Sequence, residues 1–131
     1  MNYTEKAREY FAGDIFATET TGIRIEKAEP NYALCSLEPS KEHMNANGKV
    51  MGGAIFTLAD FTFAVASNTG NAPTVTLTSQ ISFLAPAGAE KLYAEAKCIK
   101  SGKSTAMFLV EIHTEAGELV ASVSVTGARK S

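Results

Sequence analysis

The chain is poor in the residues that most often announce a function. Histidine occurs twice, as His43 and His113. Neither has a partner at metal-ligand spacing, so a metal centre is not expected. Cysteine also occurs twice. Cys35 and Cys98 each sit in a strand-like apolar pattern with no catalytic or redox signature nearby, and read as reduced core thiols. A basic excess is missing: 12 Lys and Arg against 14 Asp and Glu leave a net charge of −2. That balance speaks against a nucleic-acid-binding surface. The opening residues, Met1 to Phe11, lack the apolar stretch and cleavage site of a secretory signal. Charge itself nearly vanishes in the middle of the chain, where Asp60 is the single charged side chain from Val50 to Ala89. Gly, Pro, Asn and many Thr and Ser residues interrupt that region, so it is not a membrane span. These absences predict a cytoplasmic protein without metal, nucleic-acid or membrane partners. Its length, residues 1–131, suits one domain with a sizeable core.

What is present is organised as strands around one long helix. Residues 3–12 can form a short amphipathic helix with Tyr3, Ala7, Tyr10 and Phe11 on one side. Residues 23–29 and 32–38 alternate as strands, with Glu29-Pro30-Asn31 as the turn between them. Residues 39–49 are polar and read as a loop. A helix is expected from about Gly53 to Asn68, ended by Thr69-Gly70-Asn71. Downstream, 74–83, 92–99, 105–113 and 119–126 read as antiparallel strands, with Lys100 to Ser104 as a hairpin turn. In the first of these, Val75, Leu77, Ile81 and Phe83 fall on one face and Thr74, Thr76, Thr78, Gln80 and Ser82 on the other. The pattern is α+β, with a sheet that must curl to cover the helix.

The helix holds the most informative residue. An unpaired carboxylate is expensive inside an apolar helix, and no Lys or Arg lies near Asp60 in the chain. At about 100° per residue, Gly53, Thr57, Asp60, Ala64, Ser67 and Asn68 form one stripe of small or polar side chains. Ile55, Leu58, Ala59, Phe63, Val65 and Ala66 lie largely elsewhere. The apolar majority is expected to pack on the sheet, and the stripe to face a cleft or a subunit interface.

The segment His43-Met-Asn45-Ala-Asn-Gly48-Lys-Val-Met51-Gly52-Gly53, followed by a helix bearing Asp60, resembles a known motif. It is similar to the active-site loop and helix of hotdog-fold acyl-CoA thioesterases of the phenylacetic-acid-degradation (PaaI) type. Those read H-x-N-x-x-G-x-x-H-G-G with an acidic residue seven positions after the second Gly. The resemblance continues through Ala72-Pro73, through Ile81 to Pro86, and through Ile99-Lys100-Ser-Gly102-Lys103, and covers about Gly22 to Arg129.

The resemblance implies a hotdog fold, a long central helix wrapped by a curved antiparallel sheet. It implies hydrolysis of a small aromatic or short- to medium-chain acyl-CoA to free acid and CoA. No cofactor is needed, coenzyme A being part of the substrate. It implies dimers with shared active sites, paired into a tetramer. Asp60 matches the catalytic carboxylate, as general base or nucleophile. Gly52 matches the backbone N–H that holds the thioester oxygen, a role that suits a helix N-terminus. Asn45 matches the loop residue that orients water or carboxylate, and Thr76 a strand hydroxyl. Met51, Gly53 and Phe56 are expected at the substrate, Phe56, Phe61, Phe63 and Met51 lining an acyl cleft. Lys100 and Lys103 are candidates for the CoA phosphates, while Arg129 and Lys130 read as a frayed tail. His43 reads as a loop residue.

The chain departs from the pattern at Met51, where the family carries His. That leaves a second reading open, a non-catalytic acyl-CoA-binding hotdog protein. A hydratase or dehydratase needs a His soon after the helix Asp, and none follows Asp60 until His113.

Overall fold

The computed structural model describes residues 1–130. Helix α1 spans Tyr3–Phe11 and starts at a capping box: the Asn2 side chain accepts from the Glu5 N–H at 2.8 Å, and Glu5 returns the bond to the Asn2 N–H. A single π-helical turn, Phe16–Thr21, follows and ends at Gly22, whose φ of 86° is left-handed. Six strands complete the chain: β1 (Arg24–Glu29), β2 (Tyr32–Leu37), β3 (Thr74–Phe83), β4 (Leu92–Ser101), β5 (Thr105–Thr114) and β6 (Leu119–Arg129). Helix α2, Gly52–Asn68, is inserted between β2 and β3.

The strands form one sheet in the order β1-β2-β4-β5-β6-β3, every neighbouring pair antiparallel. Its inner face carries Ala33, Cys35, Leu92, Ala94, Ala96, Phe108, Val110, Ile112, Val123 and Val125, all buried. Small residues on β2 and β4 let the helix approach closely, and larger ones on β5 and β6 fill the space beside it. Ile55, Leu58, Ala59, Phe63, Val65 and Ala66 of α2 are all buried against this face, as the periodicity implies. Phe63 meets Phe108 edge to face at 5.3 Å. Gly127 is required beneath it, because a Cβ there would stand 2.8 Å from the Phe63 ring. The stripe of small residues stays open at Gly53, Thr57, Asp60, Ala64 and Asn68, whereas Ser67 is buried.

Three expectations need correction. Phe63 is core and lines no cleft, because its position on α2 points at β5 rather than at the stripe. The expected alternation in β3 is broken by a bulge at Leu77: Thr76 pairs with Gly127 but Thr78 pairs with Thr126. Val75 therefore shares the outer face with Thr78, and Thr76 joins Ser79, Ile81 and Phe83 on the inner face. Finally, β6 runs on to Arg129, which is no frayed tail. Its guanidinium donates to the Ser67 carbonyl, Thr74 Oγ1, Asn31 Oδ1 and Ser101 Oγ at 2.8–3.0 Å. A cation on carbonyls at the C-terminus of α2 also suits the helix dipole.

Candidate active site

Two clefts on α2 hold the expected site residues. The first, about 400 Å³, lies at the N-terminus of the helix and is lined by Asn45, Lys49, Val50, Gly52, Ile55 and the segment from Phe83 to Ala87. Met51 is the N-cap, in extended conformation, and no side chain caps the helix. Among the described residues the N–H groups of Gly52 and Gly53 have no hydrogen-bond partner, and the first bonded amide is that of Ala54, to Met51 at 3.0 Å. An uncapped helix start in a cleft is a ready site for a developing negative charge. Phe83 covers it closely: a Cβ on Gly52 would come within 3.1 Å of the ring. Glycine therefore lets the aromatic ring and the free N–H share one wall.

The loop before the helix is held by local bonds. Asn45 Oδ1 accepts from the N–H groups of Asn47 and Lys49 at 2.9 and 3.1 Å, closing an Asx-type turn. Its carboxamide oxygen is thus spent on the loop, and only the NH₂ is left to donate toward the cleft. His43 does what a loop histidine does. Its Nδ1 accepts from the Ser40 N–H at 2.9 Å, its Nε2 donates to the Thr21 carbonyl at 2.7 Å, and its own carbonyl accepts from Met51 N–H at 2.8 Å. It clamps the π turn to the start of α2.

The second cleft, about 310 Å³, holds Asp60 with Thr57, Phe61 and Ala64 on α2 and Asp14, Ile15, Phe16 and Ala17 opposite. Partial burial raises the Asp60 pKa, and the nearby Asp14 charge raises it further. Phe61 is buried, edge to face on Phe11 at 5.7 Å, which pins the segment after α1 to this part of the helix. The wall formed by Asp14 to Ala17 is absent from the sequence-based site; its signal was Gly13-Asp14 ahead of an apolar run, a helix-start pattern.

The structure does not bring all expected residues together. Gly52 and Asp60 are eight residues apart on one helix, about 12 Å along its axis. Thr76 is exposed on the inner face of β3, toward its Thr74 end. Met51 is 57% exposed and lines neither cleft, Gly53 is exposed, and Phe56 is half-buried against the core. Lys100, in β4, and Lys103, in the turn after it, lie at the Ser67 end of α2, joined to it through Arg129. That is the far end of a 17-residue helix from Gly52. Cys35 and Cys98 are free thiols, Cys35 buried with its pKa pushed up to about 12 by burial. Among the described residues no helix is long and apolar enough to cross a membrane.

One helix wrapped by a curled antiparallel sheet, with an uncapped helix start and a helix carboxylate, defines the hotdog fold in its thioesterase form. The chain belongs to the thioesterase superfamily, whose family model matches residues 47–121, and it is a thioester hydrolase. It is 32% identical over 103 residues to human acyl-coenzyme A thioesterase 13, covering 76% of this chain and 74% of that one. It is 31% identical over 101 residues to acyl-coenzyme A thioesterase PaaI of Escherichia coli, covering 76% and 72%. The solved E. coli PaaI structure superposes with a TM-score of 0.87 over 99% of this chain and 97% of that one, at 26% identity. A variant of PaaI from Thermus thermophilus gives 0.82 over 86% and 97%, at 32% identity.

Proposed function

We propose that this chain hydrolyses a small aromatic or short- to medium-chain acyl-CoA at a site assembled from two copies of itself. The observation that carries this is the separation of Gly52 and Asp60 into two clefts. One thioester carbonyl cannot reach an N–H and a carboxylate about 12 Å apart on the same helix. The edge strand β3 supplies the remedy. Its Phe83 end lies on Gly52, and its Thr74 end is bonded to Asn68 and Ser67. A second copy pairing edge to edge about a two-fold axis runs its β3 in reverse. The partner's Thr76 and the partner's Asp60 are then carried toward this Gly52.

In such a site the Gly52 N–H holds the carbonyl oxygen as it gains negative charge, aided by the helix dipole. Asp60 of the partner subunit either draws a proton from water, which attacks the carbonyl carbon, or attacks it directly. The CoA thiolate leaves and takes up a proton; on the water route the free acid remains, and on the direct route a mixed anhydride with the partner's Asp60 remains, which water then hydrolyses to the free acid and the regenerated carboxylate. Asn45 donates from its amide NH₂ to the substrate or water. Lys100 and Lys103 serve the CoA phosphates only if another subunit brings them near, and the same two-fold pairing carries the partner's Lys100 and the partner's Lys103, at the Ser67 end of α2, to the Gly52 side. Met51 in the family's histidine position removes one hydrogen-bonding group and leaves the N–H and the carboxylate in place.

The test uses two inactive variants. Asp60→Asn removes the carboxylate. Gly52→Pro removes the N–H at the first helical position, where Met51 already has the extended conformation that precedes a proline (ψ 141°), and Gly52→Ala, which sets the same Cβ against Phe83 but keeps the N–H, separates crowding from loss of the donor. Each inactive variant alone is expected to lose about a hundredfold or more in thiol release from a panel of acyl-CoAs. Mixed in equal amounts and allowed to exchange subunits, they should regain about a quarter of wild-type activity, since half the dimers hold one intact site of two. A mixture as inactive as its parts rejects the shared site. Wild type that binds CoA esters and hydrolyses none supports the binding-protein reading instead.

A further inference from the structure

We propose that Asp14 is a positioning residue of the active site, a second carboxylate that acts through Asp60. Asp14 has this role only if Asp60 carries the chemistry proposed above. The two side chains line one cleft, approached from α2 on one side and from the segment after α1 on the other. Asp14 is held there by its backbone: its N–H donates to the Phe11 carbonyl at 2.9 Å, and its carbonyl accepts from Thr18 N–H and Thr18 Oγ1 at 2.9 and 3.0 Å. The Phe11–Phe61 contact locks that turn onto the helix one residue from Asp60. Single π turns such as Phe16–Thr21 are frequent at functional sites, and this one begins where Asp14 places it.

Among the described residues, no other charged group of this chain lines the Asp60 cleft. α2 carries none besides Asp60, and the inner face of the sheet presents apolar residues, Thr76, Ser79, the neutral buried thiol of Cys35 and, at the Ser67 end, Arg129, whose guanidinium is taken up by Ser67, Thr74, Asn31 and Ser101. Glu19, on the π turn, lines a separate cleft with Arg8, Arg24 and Glu26. Among the described residues, Asp14 is therefore the one charge of this chain that shares the cleft of the helix carboxylate, and its sign is the same. A like charge disfavours ionisation, which makes Asp60 the stronger base or nucleophile at neutral pH.

The test compares wild type, Asp14→Asn and Asp14→Glu as full-length protein. Carbon-13 NMR titration of the Asp60 carboxyl, which needs no turnover, should show its midpoint fall in Asp14→Asn and stay near wild type in Asp14→Glu. The acid limb of kcat/KM against pH should move down with it, with a few-fold lower plateau. An unchanged midpoint in Asp14→Asn overturns the proposal, as does a drop in melting temperature with the pH profile unmoved, which marks a structural role only. Should wild type hydrolyse no acyl-CoA, the catalytic reading of Asp60 fails, and the titration still decides whether Asp14 governs that carboxylate.

Discussion

The two edges of the sheet are built in opposite ways. β1 is short, carries Arg24, Glu26, Lys27 and Glu29, and is bulged between Ile25 and Lys27. α1 covers it: Thr4 Oγ1 donates to the Ala28 carbonyl and accepts from the Ala28 N–H, and Arg8 donates to the carbonyls of Ile25 and Glu26. β3 is ten residues long and carries no charge, and among the described residues no helix is bonded along its free edge. Val75, Leu77 and Phe83 on it, with Leu84 just beyond, are 47–58% exposed. Charges, bulges and covering elements are the usual ways a chain prevents edge-to-edge pairing. One edge uses all three and the other has only the bulge at Leu77. The chain closes β1 against itself and leaves β3 free to pair, which is where a shared active site needs a second subunit.

The sharpest way to break this contrast is to give β3 the protection that β1 has. Leu77→Lys places a charge on the open edge at an exposed position, where a surface substitution costs the protomer only about 0.5 kcal/mol. The protein is expected to sediment as a monomer and to lose about a hundredfold or more in thioester hydrolysis, because Gly52 and Asp60 then have no complement. Sedimentation velocity and thiol release, measured at one protein concentration, check both halves. A fully active monomer sinks the two-copy site.

How far the sequence carried this contrast depends on which interactions are local. The helix and its open stripe were legible from 3.6-residue periodicity, and the β1–β2 turn at Pro30-Asn31 from turn chemistry. Asp60 stood out because an uncharged stretch surrounds it. The Leu77 bulge was not legible, since a bulge is set by pairing with β6 and the local alternation runs straight through it. Arg129 looked like a tail because its four partners come from β4, from the β1–β2 turn and from both ends of the loop between α2 and β3. The separation of Gly52 from Asp60 follows from helix rise alone, yet it becomes a statement about assembly only once β3 is seen to be an edge.

A smaller effect is expected when the covered edge is uncovered. Arg8→Ala removes two hydrogen bonds from a cation to β1 carbonyls and should cost about 1–2 kcal/mol. Urea unfolding at fixed protein concentration reads the loss, since the stability of an oligomer depends on concentration. The oligomeric state should not change, because β3 is at the opposite side of the sheet. A variant that dissociates would show that the two edges are coupled through the core.

The smallest effect should come from the cap that holds the cover in place. Asn2→Ala removes the side-chain acceptor for the Glu5 N–H but leaves Glu5 free to accept from the backbone N–H of residue 2. Half of the capping box survives, so the cost should be about 0.5–1 kcal/mol. Asn2→Asp keeps the acceptor and adds a favourable charge at the helix N-terminus, and should hold wild-type stability. Fraying at Thr4 exposes the Ala28 N–H, which α1 alone protects through Thr4 Oγ1 at 3.1 Å. Hydrogen exchange should therefore quicken at Ala28 in Asn2→Ala and stay unchanged along β3. Equal acceleration at both edges would mean that α1 stabilises the sheet as a whole instead of sealing one side of it.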